Sequence, residues 1–172
     1  AFNGKLLFAA DNGSNGIEPW ISNGTAGSTK LLKDIHAGTD SAQFGADFVR
    51  LGSFLYFVLD DVATGRELWR TNGTAAGTTL VKDINPGPSD SAPSSIINFQ
   101  GTLYFSATTP EFGRELWKSD GTPEGTVLLK NINGGANQGN PADLTIFGDK
   151  FIFAATRPTT GTELWTSDGT AA

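Results

Sequence analysis

The chain has 172 residues, a formal net charge of −6 and neither cysteine nor methionine. That length can fill one hydrophobic core. The acidic balance argues against nucleic acid, which needs a basic stripe, and the lack of cysteine excludes disulfides, thiol nucleophiles and thiolate metal sites. No apolar run approaches the ~18 residues of a membrane span, and 22 glycines with 12 phenylalanines fit a turn-rich all-β chain.

In chain order, the first elements are a turn at Gly4, an apolar strand Leu6-Leu7-Phe8, a polar loop Asp11 to Asn15, and a strand Ile17-Glu18-Pro19-Trp20. An Asn23-Gly24 hairpin turn leads into Lys30 to Ile35, and a polar loop His36 to Phe44 closes the unit. The same order then repeats. Leu55-Tyr56-Phe57, Leu103-Tyr104-Phe105 and Phe151-Ile152-Phe153 are the equivalent apolar strands. Glu67-Leu68-Trp69, Glu115-Leu116-Trp117 and Glu163-Leu164-Trp165 follow, then Asn72-Gly73, Asp120-Gly121 and Asp168-Gly169. The chain's four tryptophans, Trp20, Trp69, Trp117 and Trp165, are spaced 49, 48 and 48 residues apart. A fixed period of this size, with strand and turn signals and no helical period, predicts four short strands per unit in an up-down meander. We designate them A, B, C and D.

The expected fold is therefore all-β, a propeller-type array of four-stranded antiparallel blades stacked face to face. Units at about 1–46, 47–95, 96–143 and 144–172 give fourteen strands, or about three and a half blades. The first unit lacks strand A and the last lacks D. The expectation is a single repeat domain belonging to a larger propeller, or an arc that closes as an oligomer, because an open arc leaves apolar faces and sheet edges bare.

Residues that recur in every unit answer to the scaffold, which sets the same task each time. Pairing Thr71 with Thr78 places Trp69 opposite Leu80 and Glu67 opposite Lys82, and likewise Glu115 opposite Lys130 and Glu18 opposite Lys33. Such cross-strand ion pairs contribute ~0.2–1 kcal/mol each. Asn12, Asn23 and Asn72 match the N-glycosylation acceptor pattern, but Asp120 and Asp168 hold the same turn as Asn23 and Asn72, so turn chemistry explains those two.

Variable loops on a repeated scaffold are where binding resides. The B–C and D–A loops share one face of such an array and differ between units, so they form the expected ligand face. The candidate ligand-binding residues are Asp11, Asn15, Asp60, Asp61, Glu111, Phe112 and Arg157. Their oxygen-rich chemistry suits sugar hydroxyls or a surface polymer, with Phe112 available to stack. Asp11, Asp60 and Asp61 are candidate calcium ligands, although turn chemistry also accounts for them; no cofactor is required. No catalytic constellation is visible: His36, the one histidine, reads as a solvent-exposed side chain beside a loop. The function expected is a non-enzymatic binding or adhesion module, with glycans as a candidate ligand. The alternatives are a self-assembling structural segment and a carbohydrate-active enzyme, a glycosidase or lyase using paired carboxylates.

The segment Glu115-Leu116-Trp117-Lys118-Ser119-Asp120-Gly121-Thr122, together with Leu31-Leu32-Lys33-Asp34-Ile35, resembles the ELWxxDGT repeat family over essentially the whole chain. That family comprises bacterial, mostly secreted or surface-attached proteins whose arrays are expected to form β-propellers. The resemblance implies an extracellular or cell-surface setting and carries no catalytic residue onto this chain. Pro19 replaces the Leu of the motif, Asn23 and Asn72 replace its Asp, and Asn131 stands where Asp34 and Asp83 stand in other units. These departures argue against an identical ligand in every unit.

Overall fold

The structure, a computed structural model, describes residues 2–171. They form fourteen strands in four antiparallel sheets, plus a single 3-10 turn at Ala26–Ser28. The first sheet contains β1 (Leu6–Asp11), β2 (Ile17–Ser22) and β3 (Lys30–Leu31). The second contains β4 (Phe44–Leu51), β5 (Phe54–Asp61), β6 (Gly65–Thr71) and β7 (Thr79–Lys82). The third contains β8 (Ser94–Phe99), β9 (Thr102–Thr109), β10 (Gly113–Ser119) and β11 (Val127–Lys130). The fourth contains β12 (Ala142–Phe147), β13 (Lys150–Arg157) and β14 (Gly161–Ser167). Each sheet runs in sequence order, the predicted meander.

Local chemistry accounts for the hairpins. Between β8 and β9, Gln100 and Gly101 both have positive φ, the two-residue turn whose twist matches the strands it joins. Between C and D strands, Asn72 or Asp120 accepts the backbone N–H and the hydroxyl of the threonine two residues on, at 3.0 and 2.7 Å for Thr74 and 2.8 and 2.7 Å for Thr122. Asn and Asp thus perform the same task, as turn chemistry requires.

The C–D register is half as expected. Trp69 pairs with Leu80 and the Thr71 and Thr78 hydroxyls meet at 2.8 Å. Glu67 does not face Lys82. A bulge between Leu68 and Trp69 leaves Val81 as the extra residue and sets Lys82 opposite Leu68; Lys130 sits opposite Leu116 in the same way. Energetics explain the correction. The bulged residues Val81 and Leu129 are buried, and a buried Val or Leu contributes ~1.5–3 kcal/mol, more than an exposed cross-strand ion pair. The freed lysines reach the next sheet: Lys33 Nζ donates to Thr78 O at 2.7 Å and Lys82 Nζ to Thr126 O at 2.8 Å.

The core is divided among the spaces between neighbouring sheets. Phe57, Leu59 and Trp69 pack against Leu7 of the first sheet and Ile35 beyond its last strand. Phe105, Ala107 and Trp117 of the third sheet pack against Tyr56, Val58 and Leu68 of the second. Phe151, Phe153 and Trp165 of the fourth pack against Tyr104 and Leu116 of the third. Period-two alternation therefore sends odd and even residues of each strand to different neighbours. The two outermost faces are uncovered: Leu164 is 74% exposed, whereas its equivalents Leu68 and Leu116 are 0% and 2% exposed.

Candidate functional site

The segments joining each D strand to the next A strand are fastened down at both edges. Ala92 N donates to Arg66 O at 2.9 Å and Thr108 N donates to Ser91 O at 2.8 Å. The next unit repeats this, with Asn140 N to Arg114 O at 3.0 Å and Thr156 N to Gly139 O at 2.7 Å. Each segment thereby ties the C strand of its own sheet to the B strand of the following one. The B–C hairpins and the D–A segments meet on one face, as the meander predicts.

Beneath each segment lies the recurrent glutamate. Glu67, fully buried, accepts the backbone N–H groups of Ile84, Asn85 and Ser91 at 3.2, 3.3 and 3.1 Å and the Ser91 hydroxyl at 2.5 Å. Glu115 accepts Ile132, Asn133 and Gly139 N–H at 2.8, 3.2 and 2.9 Å, and Glu18 accepts Ile35 and His36 N–H at 2.9 and 2.8 Å. The expected Glu–Lys pair is thus replaced by a carboxylate clamp on loop backbone, which satisfies donors that would otherwise be orphaned in the interior.

Burial raises all three carboxyls, opposed by the hydrogen bonds that favour the anion. Glu67 rises from 4.5 to about 7. Between those values the folded chain holds a proton that the unfolded chain has released. The stability this adds is fully present below 4.5 and is lost as pH climbs through about 7. The melting midpoint is expected to fall as pH is raised across that window, with a shallower fall in Glu67→Gln; parallel profiles for the two proteins would refute the assignment.

The sequence-predicted site residues sit on this face, at the strand ends and in the turns of the B–C hairpins. The strands reach into every B–C loop. Asp60 and Asp61 belong to β5 and Arg157 to β13, and pairing continues to Asp61↔Gly65, Thr109↔Gly113 and Arg157↔Gly161, leaving short turns closed by a glycine of positive φ. Asp11 Oδ1 accepts Gly13 N at 2.7 Å and Asp61 Oδ1 accepts Ala63 N at 2.9 Å, while Asp60 Oδ1 accepts Gln43 N. Asn15 Nδ2 donates to Asp34 Oδ2 at 2.9 Å. Phe112 is half-buried, with its N–H on Thr109 Oγ1 at 3.3 Å, and Glu111 is exposed in the same turn. Arg157 stacks over Trp165, 4.4 Å from the ring centroid. His36 is buried rather than exposed: its Nε2 lies 3.0 Å from Asp60 O, so it ties the first sheet to the second. Among the described residues, no group of three or more His, Asp or Glu side chains converges as a metal site would require.

The structure assembles a different cleft. Gly45, Asp47, Val58 and Arg66 of the second sheet, Ala92 and Pro93 of the segment that follows it, and Ser94 and Arg114 of the third sheet line an open space of about 390 Å³. None of the seven sequence-predicted residues lines it. Arg66 and Arg114 occupy the same position in successive C strands, and their side chains run across the B strand toward strand A. Arg66 Nη2 donates to Gln43 Oε1 at 2.8 Å, and its buried Nε has no partner among the described residues. Arg114 Nη2 donates to Ala92 O, Ser94 Oγ and Ser106 Oγ at 3.0, 2.5 and 2.9 Å, and Nη1 to Thr108 Oγ1 at 3.3 Å. Every Arg114 partner is neutral, and burial lowers its pKa. One signal was available in the sequence: arginine follows the glycine in only two of the four copies of the motif, Ile17 and Thr162 holding the position elsewhere.

No family model and no curated protein sequence matches the chain. Solved structures do. A prolyl endopeptidase, studied for inter-domain dynamics in catalysis and specificity, aligns with a TM-score of 0.54 at 15% identity over 95% of this chain and 25% of its own. The S511A mutant of puromycin hydrolase, complexed with PGG, aligns with a TM-score of 0.56 at 17% identity over 95% of this chain and 25% of its own. The chain thus spans about a quarter of the length of these proteins. At such identities the likeness concerns the fold alone: the chain is an all-β array of small antiparallel sheets, propeller-like in arrangement.

Proposed function

We propose that this chain is a non-enzymatic binding module of ELWxxDGT type, set in an extracellular or surface context, with a glycan or surface polymer as ligand. Its sheets act as blades of a propeller, and the ligand rests on the face where B–C hairpins and D–A segments meet. The observation that carries this reading is the Arg66–Arg114 cleft, an opening on that face where Asp47, Arg66, Ser94 and Arg114 sit among apolar residues, with hydrogen-bonded walls. Pre-formed concave sites with a few convergent polar groups are typical of small-ligand recognition, and pinned loops lower the ordering cost of binding. Retention on a glycan array, with no release of reducing ends from the retained glycan, is the expected result. Turnover would favour the glycosidase or lyase reading, and no retention would overturn the glycan reading.

One further observation favours self-association as a second role. Leu164 and Phe147, at 74% and 71% exposure, occupy positions where Leu116 and Phe99 are buried under a neighbouring sheet. On the opposite end, Leu6 is 55% exposed where Leu103 is fully buried. The two faces are related as the internal sheet–sheet faces are, so head-to-tail contact between copies repeats a packing the chain already uses. Light scattering should give a mass above the monomer for the wild type and the monomer mass for Leu164→Glu. Because Leu164 is exposed, that variant should melt within about 0.5 kcal/mol of wild type. A wild-type monomer removes this second role.

A further inference from the structure

We propose that the cleft between the second and third sheets takes the carboxylate of an acidic saccharide, a uronate, with Arg66 and Arg114 as its charged contacts. This deepens the glycan reading above and rests on it.

The chain is acidic overall, yet this cleft gathers two arginines from separate sheets. Among the described residues no carboxylate bonds to either guanidinium. Arg114 is surrounded by hydroxyls and a carbonyl, and Arg66 bonds one amide oxygen. The Arg114 guanidinium, part-buried among neutral partners, is an unmet electrostatic demand. The other arginines of the second sheet are engaged elsewhere: Arg70 Nη1 donates to Gly121 O at 2.7 Å, and Arg50 Nε donates to Gly52 O at 3.1 Å. An incoming carboxylate supplies the missing charge, and guanidinium geometry suits its two oxygens.

The remaining lining narrows the ligand further. Asp47 shares the cleft with the two arginines. Its carboxylate accepts hydrogen bonds and repels anions. A ligand with a carboxylate and several hydroxyls satisfies both kinds of group, because its hydroxyls donate to Asp47 while its carboxylate meets the arginines. A bare sulfate meets the arginines but has nothing to donate to Asp47, so the repulsion from that carboxylate is not offset. Pro93, Ala92 and Val58 add apolar surface for the C–H face of a sugar ring. A uronate combines a carboxylate, hydroxyls and an apolar ring face in one unit.

The experiment is calorimetric titration of the full chain with trigalacturonate, with neutral maltotriose and with sodium sulfate, repeated for Arg66→Gln. Arg66 is the residue to change because it gives up one hydrogen bond, whereas Arg114 holds four and serves the scaffold as well. Thermal melting confirms that the variant is folded. Trigalacturonate should bind at least about tenfold more tightly than maltotriose, lose about tenfold in Arg66→Gln, and weaken with added salt, while sulfate fails to compete. Equal affinity for the charged and neutral trisaccharides, or an unchanged affinity in Arg66→Gln, overturns the uronate inference and leaves the glycan reading standing. Effective competition by sulfate makes the cleft a general anion site and also overturns it. If neither saccharide binds, the glycan reading and this inference fall together.

Discussion

Glu115→Ala should destabilise the chain by about 3–5 kcal/mol and lower its melting midpoint by roughly 10 °C or more. The carboxylate accepts three backbone N–H groups, from Ile132, Asn133 and Gly139, and the side chain is fully buried. Each donor orphaned in the interior costs ~1–3 kcal/mol. Glutamine at the same site keeps one acceptor oxygen but presents an NH₂ to donors, so Glu115→Gln should fall between alanine and wild type. The chain carries its own control in Glu163, which occupies the same motif position but is exposed. Glu163→Ala should change the midpoint by no more than a surface substitution does, about 0.5 kcal/mol. If thermal melts give Glu115→Ala and Glu163→Ala the same midpoint, the clamp does not contribute to stability. Because the clamped segments form the walls of the cleft, Glu67→Ala should also weaken ligand binding in the fraction that stays folded.

The glycine that precedes each of these motifs offers a sharper contrast. Gly113 has φ +67°, and a Cβ there would lie 2.7 Å from the carbonyl oxygens of Ala136 and Asn137. Gly65 has φ +68°, and its added Cβ would lie 2.7 Å from the Ser89 carbonyl. The obstacles are backbone atoms of the D–A segment, which the glutamate clamp prevents from shifting. Gly161 has φ +79° and, among the described residues, nothing within 4 Å of the corresponding position. Gly161→Ala should therefore cost only the left-handed strain, about 1–2 kcal/mol. Gly113→Ala and Gly65→Ala should cost more than about 4 kcal/mol, since strain and a backbone collision combine. Denaturant unfolding of the three variants measures the difference. Equal losses would mean that the crossing segment is free to move aside. Gly65→Ala has a functional consequence too: it displaces Ser89 and Asp90, which lead into the Ala92-Pro93-Ser94 wall of the cleft.

Both effects concern the same contact, a loop backbone passing over the start of a C strand. Close approach requires the glycine, and the loop's N–H groups require the glutamate. The motif Gly-x-Glu-Leu-Trp therefore encodes a docking surface for the chain's own D–A segment, followed by two residues that fill the spaces on either side of the sheet. Leu68 packs toward the third sheet and Trp69 toward the first.

The amino-acid sequence by itself determined the number, order and direction of the strands. Period-two apolar runs such as Leu103-Tyr104-Phe105, glycine-bearing turns such as Gln100-Gly101, and Asn-Gly or Asp-Gly hairpins act within a few residues, so their outcome depends on little beyond the local chain. It also determined the pairing of Trp69 with Leu80, which follows from turn length. What the tertiary structure decided is every contact made across a long separation. Glu67 meets Ser91, 24 residues on, rather than Lys82, because a bulge that buries Val81 removes the lysine from its expected place. His36 is buried because the second sheet supplies the Asp60 carbonyl. Arg66 and Arg114 share a cleft because adjacent sheets stack with equivalent positions side by side, a relation that a repeat period suggests but only packing fixes. The physical reason is common to all three: a polar group's partner depends on which backbone crosses it, and crossing is set by how sheets stack, a property that no short stretch of sequence contains.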